Sequence, residues 1–325
     1  MLAAVLSLPR APDRGVAAEG ALWQQVTDGL QGDTVVDLVL LGSPPLTVRS
    51  MVLLSQGAGL HRYNSETSGW DPVYADPDRP SAEVLVAARA NDDVEGTTLY
   101  AGLRGLKRFA RSEDSGRNWT SLPGPTEVDR LDRLAVSQGS GRVYVARSDR
   151  FAMWTANDKG LTWDRRDPPG PPVAEIPIDD LFAAPDDPYV YMVRGGRLYG
   201  TNDEPETWTE VLGPNPTPPV TSTLEVLYAA VGPRGRLHAA GRRGEQLVVM
   251  SSEDRGVTWN AEGWPDGADG AVGVLPTVIG AGESRPGVNA LWLGLEDGRV
   301  FGSETGGSTW FLVASLPLAP SQVTA

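Results

Sequence analysis

The sequence predicts an all-β fold: a single β-propeller domain over residues 1–325, with seven four-stranded blades or, as the alternative, six. Three observations predict it. Tryptophans return at a near-constant spacing, a polar box precedes most of them, and each interval holds four short apolar runs separated by turn residues. A period of 44–51 residues over this many copies marks a propeller or solenoid, not independent domains. Four-stranded antiparallel sheets at that period are propeller blades.

The anchors are Trp23, Trp70, Trp119, Trp163, Trp208, Trp259 and Trp310, spaced 47, 49, 44, 45, 51 and 51 residues apart. The box reads S-x-D-x-G-x-x-W. It is complete at Ser112, Asp114, Gly116 and Trp119, and again at Ser252, Asp254, Gly256 and Trp259. Asp158, Gly160 and Trp163 keep three positions, with Ala156 in the serine place. Ser303, Gly307 and Trp310 keep three, with Thr305 for the aspartate. Thr201, Asp203 and Trp208 follow, with Pro205 for the glycine, and Trp70 closes a weak copy built on Tyr63, Ser65 and Thr67.

Within each interval the runs follow one order. A first apolar run (A) covers 38–41, 84–88, 134–136, 181–184, 226–230 and 274–279. A second (B) covers 51–54, 99–103, 143–146, 190–193, 237–240 and 290–295. A third (C) enters the box at 60–63, 106–110, 151–154, 198–199, 247–250 and 300–301, and the box tryptophan opens a fourth (D). The runs are short, rich in Val, Leu, Tyr and Trp, and bounded by turn residues, as strands are. None holds a helical period over three turns. Six complete sets lie between Trp23 and Trp310. For a seventh, residues 2–8 read as B, 15–18 as C and 23–26 as D, with the A strand supplied from 319–325, so that both ends of the chain close the ring. Proline-rich stretches at 164–177 and 213–222 read as D–A loops, because proline cannot sit in a central ladder.

Gly 38 and Pro 27 suit many tight turns. The absence of cysteine excludes disulfides, thiolate metal sites and cysteine nucleophiles, and His61 and His238 are too few for a histidine-rich metal site. A net charge of −14 speaks against nucleic-acid binding, since phosphate contacts need clustered Lys and Arg. The charge is uneven: residues 104–166 hold thirteen Lys/Arg and eight Asp/Glu, a local net of +5. No stretch reaches the length of a membrane span. Residues 1–8 are short for a signal core and lack a basic flank, so neither signal peptide nor compartment is read from them.

The boxes resemble the Asp-box, or bacterial neuraminidase repeat, and the resemblance covers nearly the whole chain. Proteins with this repeat include sialidases, xyloglucan-cleaving glycoside hydrolases, the sortilin ectodomain and the photosystem II stability/assembly factor family. The last is similar in size and in having one seven-bladed ring. The resemblance implies that the boxes form the turn between strands C and D, away from the face that carries known active sites. Their chemistry agrees with a structural role: short side chains such as Ser112 and Asp114 bond their own turn, and Gly116 tolerates a left-handed backbone.

Two sets of residues stand at the other end of the strands. An acidic residue recurs where strand A begins: Asp37, Glu83, Asp132, Asp180 and Glu225, with residues 272–273 lacking it in the sixth set. Gathered at a channel mouth, these carboxylates would raise one another's pKa and attract a cation such as Ca²⁺; the plainer reading is a wet, polar rim. The B–C turns carry Arg104, Arg147, Arg194, Arg242 and Arg243, a surface for an acidic partner or a set of local ion pairs. The sialidase arginine stretch has only residues 8–12, Leu-Pro-Arg-Ala-Pro, as a counterpart, and no matching Tyr/Glu pair is found. Xyloglucanase-like enzymes use two propellers facing one cleft. Ser-His-Asp chemistry has little support with two histidines and no G-x-S-x-G.

The expectation is therefore a non-catalytic, monomeric propeller that needs no cofactor. Its B–C/D–A face would bind a protein or peptide in an assembly, scaffold or receptor role. The alternatives are a glycoside hydrolase using mouth carboxylates and a glycan-binding lectin.

Overall fold

The computed structural model describes residues 4–6, 23–25, 35–40, 51–55, 59–64, 66–74, 82–88, 98–103, 109–128, 131, 133–147, 152–166, 176–185, 187–202, 207–214, 223–266, 274–285 and 287–315. Among them the fold is a β-propeller of six four-stranded antiparallel sheets, each following the chain from A to D. Blade 1 contains β3 (Val35–Leu40), β4 (Met51–Ser55), β5 (Gly59–Asn64) and β6 (Gly69–Tyr74). Blade 2 contains β7 (Ala82–Ala88), β8 (Thr98–Leu103), β9 (Phe109–Ser112) and β10 (Thr120–Leu122). Blade 3 contains β11 (Arg133–Val136), β12 (Val143–Ala146), β13 (Met153–Ala156) and β14 (Asp164–Arg166). Blade 4 contains β15 (Ile178–Ala183), β16 (Val190–Arg194), β17 (Arg197–Thr201) and β18 (Thr209–Leu212). Blade 5 contains β19 (Glu225–Val231), β20 (Leu237–Arg243), β21 (Gln246–Ser252) and β22 (Asn260–Gly263). Blade 6 contains β23 (Pro276–Arg285), β24 (Val288–Leu295), β25 (Arg299–Ser303) and β26 (Phe311–Ser315). No described helix is long and apolar enough to cross a membrane.

Among the described residues the expected seventh four-stranded blade is not formed. β1 (Ala4–Leu6) and β2 (Trp23–Gln25) make a two-stranded sheet in the register Ala4↔Gln25 to Leu6↔Trp23. The first strand thus pairs directly with the strand expected as D, leaving no place between them for a C strand. Residues 15–18 and 319–325, assigned to the C strand and the closing A strand, lie outside the described residues.

Consecutive blades touch through their A strands, β3 on β7, β7 on β11, β11 on β15, β15 on β19 and β19 on β23, which places strand A innermost. The core lies between blades. Tyr100 and Phe109 of blade 2 are buried with Leu134, Val136, Val143 and Val145 of blade 3. Tyr191, Val193 and Leu198 of blade 4 are buried with Leu237, Ala239 and Met250 of blade 5. Alternation along each strand sends one set of side chains to each neighbour, so a blade is apolar on both faces.

The box turns join blades as well as strands. Between β9 and β10, the Ser112 hydroxyl accepts a hydrogen bond from Gly116 N (2.9 Å) and donates to Asp114 Oδ1 (2.8 Å). Asp114 accepts from Arg117 N (3.0 Å) and Asn118 N (2.8 Å). Ser252 and Asp254 repeat the pattern with Gly256 N (2.8 Å) and Thr258 N (2.8 Å). Asp158 does so with Leu161 N and Thr162 N, both at 2.9 Å. In blade 6, Ser303 receives Gly307 N (2.9 Å) and the Thr305 hydroxyl receives Thr309 N (2.8 Å), so a hydroxyl serves where the other boxes use a carboxylate. In blade 1 the turn is held instead by Asn64, whose Oδ1 accepts from Glu66 N (2.9 Å). Asp203 lies outside the described residues, while Trp208 packs edge-on against Tyr144 of blade 3 at 6.3 Å.

Each box glycine lies against the preceding blade. A Cβ on Gly160 would stand 2.2 Å from the Phe109 ring, one on Gly256 2.6 Å from Val211, one on Gly116 2.7 Å from Val52 and one on Gly307 3.0 Å from Glu262. All four have positive φ, from 81° to 105°. The tryptophans add to the clip: Trp163 meets Phe109 at 5.1 Å and donates Nε1–H to Pro123 O (3.0 Å). Trp259 donates to Val211 O (2.8 Å), and Trp119 packs against Tyr74 at 6.3 Å. Trp310 is half-buried in the cluster between blades 5 and 6.

Candidate functional site

The opposite end of the blades is formed by B–C turns and by the starts of the A strands. Here the backbone departs from regular pairing. A one-residue bulge interrupts the A–B register between Val35 and Asp37, Ala82 and Val84, Ile178 and Asp180, Val226 and Tyr228, and Pro276 and Val278. A bulge re-aims side chains and breaks strict alternation. In blade 4 it places two adjacent carboxylates, Asp179 and Asp180, at the inner rim.

Asp179 is tied on two sides. Its Oδ2 accepts from Gly195 N (3.1 Å) in the B–C turn, and its main-chain oxygen accepts from Arg133 Nε (2.8 Å) of blade 3. Burial raises its carboxyl pKa above the usual range; the Gly195 bond and the charges of Arg133 and Arg194 oppose the shift. Asp180 is also raised by burial, against a bond from Leu181 N (2.8 Å) and the Arg133 charge. Tyr228 of blade 5 is 36 % exposed; burial of its ring, then the carboxylates of Glu296, Asp180 and Asp179, push its phenol upward, with Arg133 opposing. Arg133, Asp179, Asp180, Tyr228 and Glu296 therefore share one electrostatic neighbourhood drawn from blades 3 to 6.

Glu296 supplies what residues 272–273 lack. It belongs to the B–C turn of blade 6, where its N–H donates to Leu275 O (3.0 Å) and its Oε2 accepts from Leu275 N (3.4 Å). The missing acid comes from the turn rather than from the A strand, so a search by strand position passes over it. Tyr228 looks like an ordinary strand residue until the bulge beside it sets its direction, and Arg133 until its bond to the Asp179 carbonyl ties it to the next blade.

The other acids divide. Glu225 is exposed and pairs in register with Arg242, and the Gly195–Gly196 turn of blade 4 packs on it: Val226 N donates to Gly196 O (2.9 Å), and a Cβ on Gly196 would stand 3.1 Å from Glu225 Cγ. The side chains of Asp37 and Glu83, and all of Asp132, lie outside what is described. Among the described residues, no group of three or more carboxylate or imidazole side chains could hold a metal ion.

The arginines divide too. Arg194 is 2 % exposed and donates Nε–H to Ile176 O (3.2 Å), so it braces the wall. Burial lowers its pKa, although Tyr199 and Asp179 act to raise it. Arg242 and Arg243 are exposed; Arg243 donates to Thr223 O (3.3 Å). Arg147 is half-buried, and Arg104 lies outside the described residues. The arrangement is a mixed-charge rim with one exposed phenol. It can donate and accept several hydrogen bonds and hold a cationic or an anionic group at different points.

No protein-family profile and no curated protein sequence matches the chain. Solved structures do. YCF48 bound to D1 peptide aligns over 90 % of this chain and 85 % of its own, with 16 % identity and a TM-score of 0.60. The GH74 enzyme of Niastella koreensis aligns over 87 % of this chain and 37 % of its own, with 14 % identity and a TM-score of 0.59. U3-55K aligns over 88 % and 83 %, with 12 % identity and a TM-score of 0.57. The chain spans less than half the length of the GH74 enzymes it matches. At such identities the likeness is one of fold, and one fold hosts binders and enzymes alike.

Proposed function

We propose that this chain is a non-catalytic binding propeller that takes a peptide segment of a protein partner across its B–C/D–A face, in an assembly, scaffold or receptor role. One observation carries the reading: the rim of Arg133, Asp179, Asp180, Tyr228 and Glu296, with exposed Arg242 and Arg243 beside it, offers charges of both signs and an aromatic surface. At the box end, by contrast, the serine and aspartate side chains of the two complete boxes are engaged in the turns themselves. The fold likeness to YCF48, a structure that holds a peptide and aligns over most of its length, supports the same reading.

A glycoside hydrolase is the second reading, favoured by the likeness to GH74 enzymes. The two are separated by one pair of assays. The chain is probed against an array of extended peptides of varied charge, and incubated with xyloglucan and a sialoglycan panel. Peptide binding that is lost in Arg133→Ala and Tyr228→Ala, with no glycan turnover, is expected. Turnover of any glycan that disappears in Asp180→Asn, with no peptide above background, would replace the proposal with the second reading.

A further inference from the structure

The box turns differ in how they hold their blade to the one before. In the boxes of blades 2, 3, 5 and 6, the residue before the glycine has positive φ: Ser115, Lys159, Arg255 and Gly306. The first three are tied to the preceding blade. Arg62 Nε donates to Ser115 O (3.2 Å), Arg111 Nη1 to Lys159 O (3.1 Å) and Arg255 Nε to Asp187 Oδ2 (2.7 Å). Gly306 has no side chain to reach across, and apart from its chain neighbours nothing lies within 4 Å of where its Cβ would stand. Blade 6 uses Glu262 of blade 5 instead, which accepts from Ser308 Oγ (2.7 Å) and from Ser251 Oγ of its own blade.

Two further features weaken the closed state of blade 6. Thr305 offers its turn a neutral hydroxyl that receives one N–H, from Thr309. Asp114 and Asp158 each receive two, on a charged oxygen that makes the stronger bond. Trp310 Nε1 is buried without a hydrogen bond, whereas Trp163 and Trp259 bond Pro123 O and Val211 O of the blade before. A buried donor left unpaired penalises the closed state, and water relieves it on opening. The inner strands keep their packing, β23 lying against β19 and β20. Local opening follows such differences within one fold. We propose that the outer half of blade 6, β25 and β26, is a gate that opens from blade 5 at its box end while the inner strands stay packed. Glu296 stands in the turn that leads into β25, so the rim loses it at each opening. That consequence rests on the binding role proposed for the rim; the opening itself does not.

Native-state hydrogen exchange of the full chain without any ligand, read amide by amide, tests this. The amides of Arg299–Ser303 are expected to exchange roughly ten-fold or more faster than those of the C strands Phe109–Ser112, Met153–Ala156 and Gln246–Ser252. The Glu296 amide, bonded to Leu275 O, exchanges at the rate of β25. Thr305→Asp restores the acidic pair that the complete boxes hold as Glu113-Asp114 and Glu253-Asp254. It slows β25 and Glu296 several-fold and leaves the other C strands unchanged, while Ser308→Ala speeds the same two. Equal exchange in the four C strands overturns the gate. So does fast exchange in β25 that neither substitution moves, the behaviour of a fraying chain end. Exchange at Glu296 that does not follow β25 overturns the link to the rim.

Discussion

The two ends of the blades are built from the same strands and solve opposite problems. At the box end the same hydrogen bonds recur from blade to blade, and glycine and tryptophan reach onto the preceding blade. At the rim end the A–B bulge recurs in five blades, but the side chains it presents do not: one blade supplies two carboxylates, another a phenol, a third a glutamate from a turn. Repetition marks what every blade needs in order to stand. Variation marks where blades are free to differ, and recognition requires that freedom.

Substitutions at the two ends should separate these roles. The largest effect is expected at a box glycine. Gly160→Ala forces a methyl to 2.2 Å from the Phe109 ring at φ +88°, and should cost about 3 kcal/mol by thermal or urea unfolding. Gly244→Ala, in a B–C turn with φ +63° and nothing within 4 Å, should cost only about 1 kcal/mol. Equal costs at the two positions would break the contrast.

Acid should expose the next difference. His238 is buried, its Nδ1 makes no hydrogen bond, and burial followed by the Arg236 charge pushes its pKa down to about 3 from 6.5. The unfolded chain takes up a proton as pH falls through 6.5, and the folded chain refuses it until about 3. Stability present above pH 6.5 is therefore lost across that window, with a slope of up to about 1.4 kcal/mol per pH unit. His238→Leu should flatten this limb; an unchanged slope would contradict the burial argument. Nearer pH 4 the two ends diverge in sign. Burial acts to raise the pKa of Asp114, Asp158 and Asp254, but the hydrogen bonds of their turns outweigh it and hold them low, so their stabilisation is lost as pH falls through those lowered values. Asp179 and Asp180 are raised by burial, so their contribution is lost as pH rises through their folded values.

A smaller effect lies within the box. Asp254→Ala removes the acceptor of the Thr258 N–H and hydroxyl bonds and should cost about 1–2 kcal/mol. Asp254→Thr should cost less, because Thr305 already fills that role in blade 6. The smallest effect belongs to the rim: Arg242→Ala should change stability by no more than about 0.5 kcal/mol while altering binding.

The fold was legible because box tryptophans keep their spacing whatever the loops do, and Trp119, Trp163 and Trp259 each pack on the preceding blade. The blade count was less so: residues 2–8 and 23–26 read as strands B and D, and nothing in their pattern shows that they pair with each other directly. At the rim, strand alternation could not choose between Asp179 and Asp180, because a bulge sits between Ile178 and Asp180. Arg194 and Arg242 look alike as B–C arginines, yet one is enclosed by its own wall and the other meets solvent. Such differences arise from the neighbouring blade, which a local pattern does not contain.

Site-specific photo-crosslinking from the two ends decides where recognition lies. A photoreactive phenylalanine replaces Tyr228 at the rim in one protein and Val257, 69 % exposed on a box turn, in another. A discrete adduct is expected from position 228, identified as one partner segment by mass spectrometry, and none from 257. An adduct from 257 with none from 228 would place recognition at the box end and contradict the proposed function.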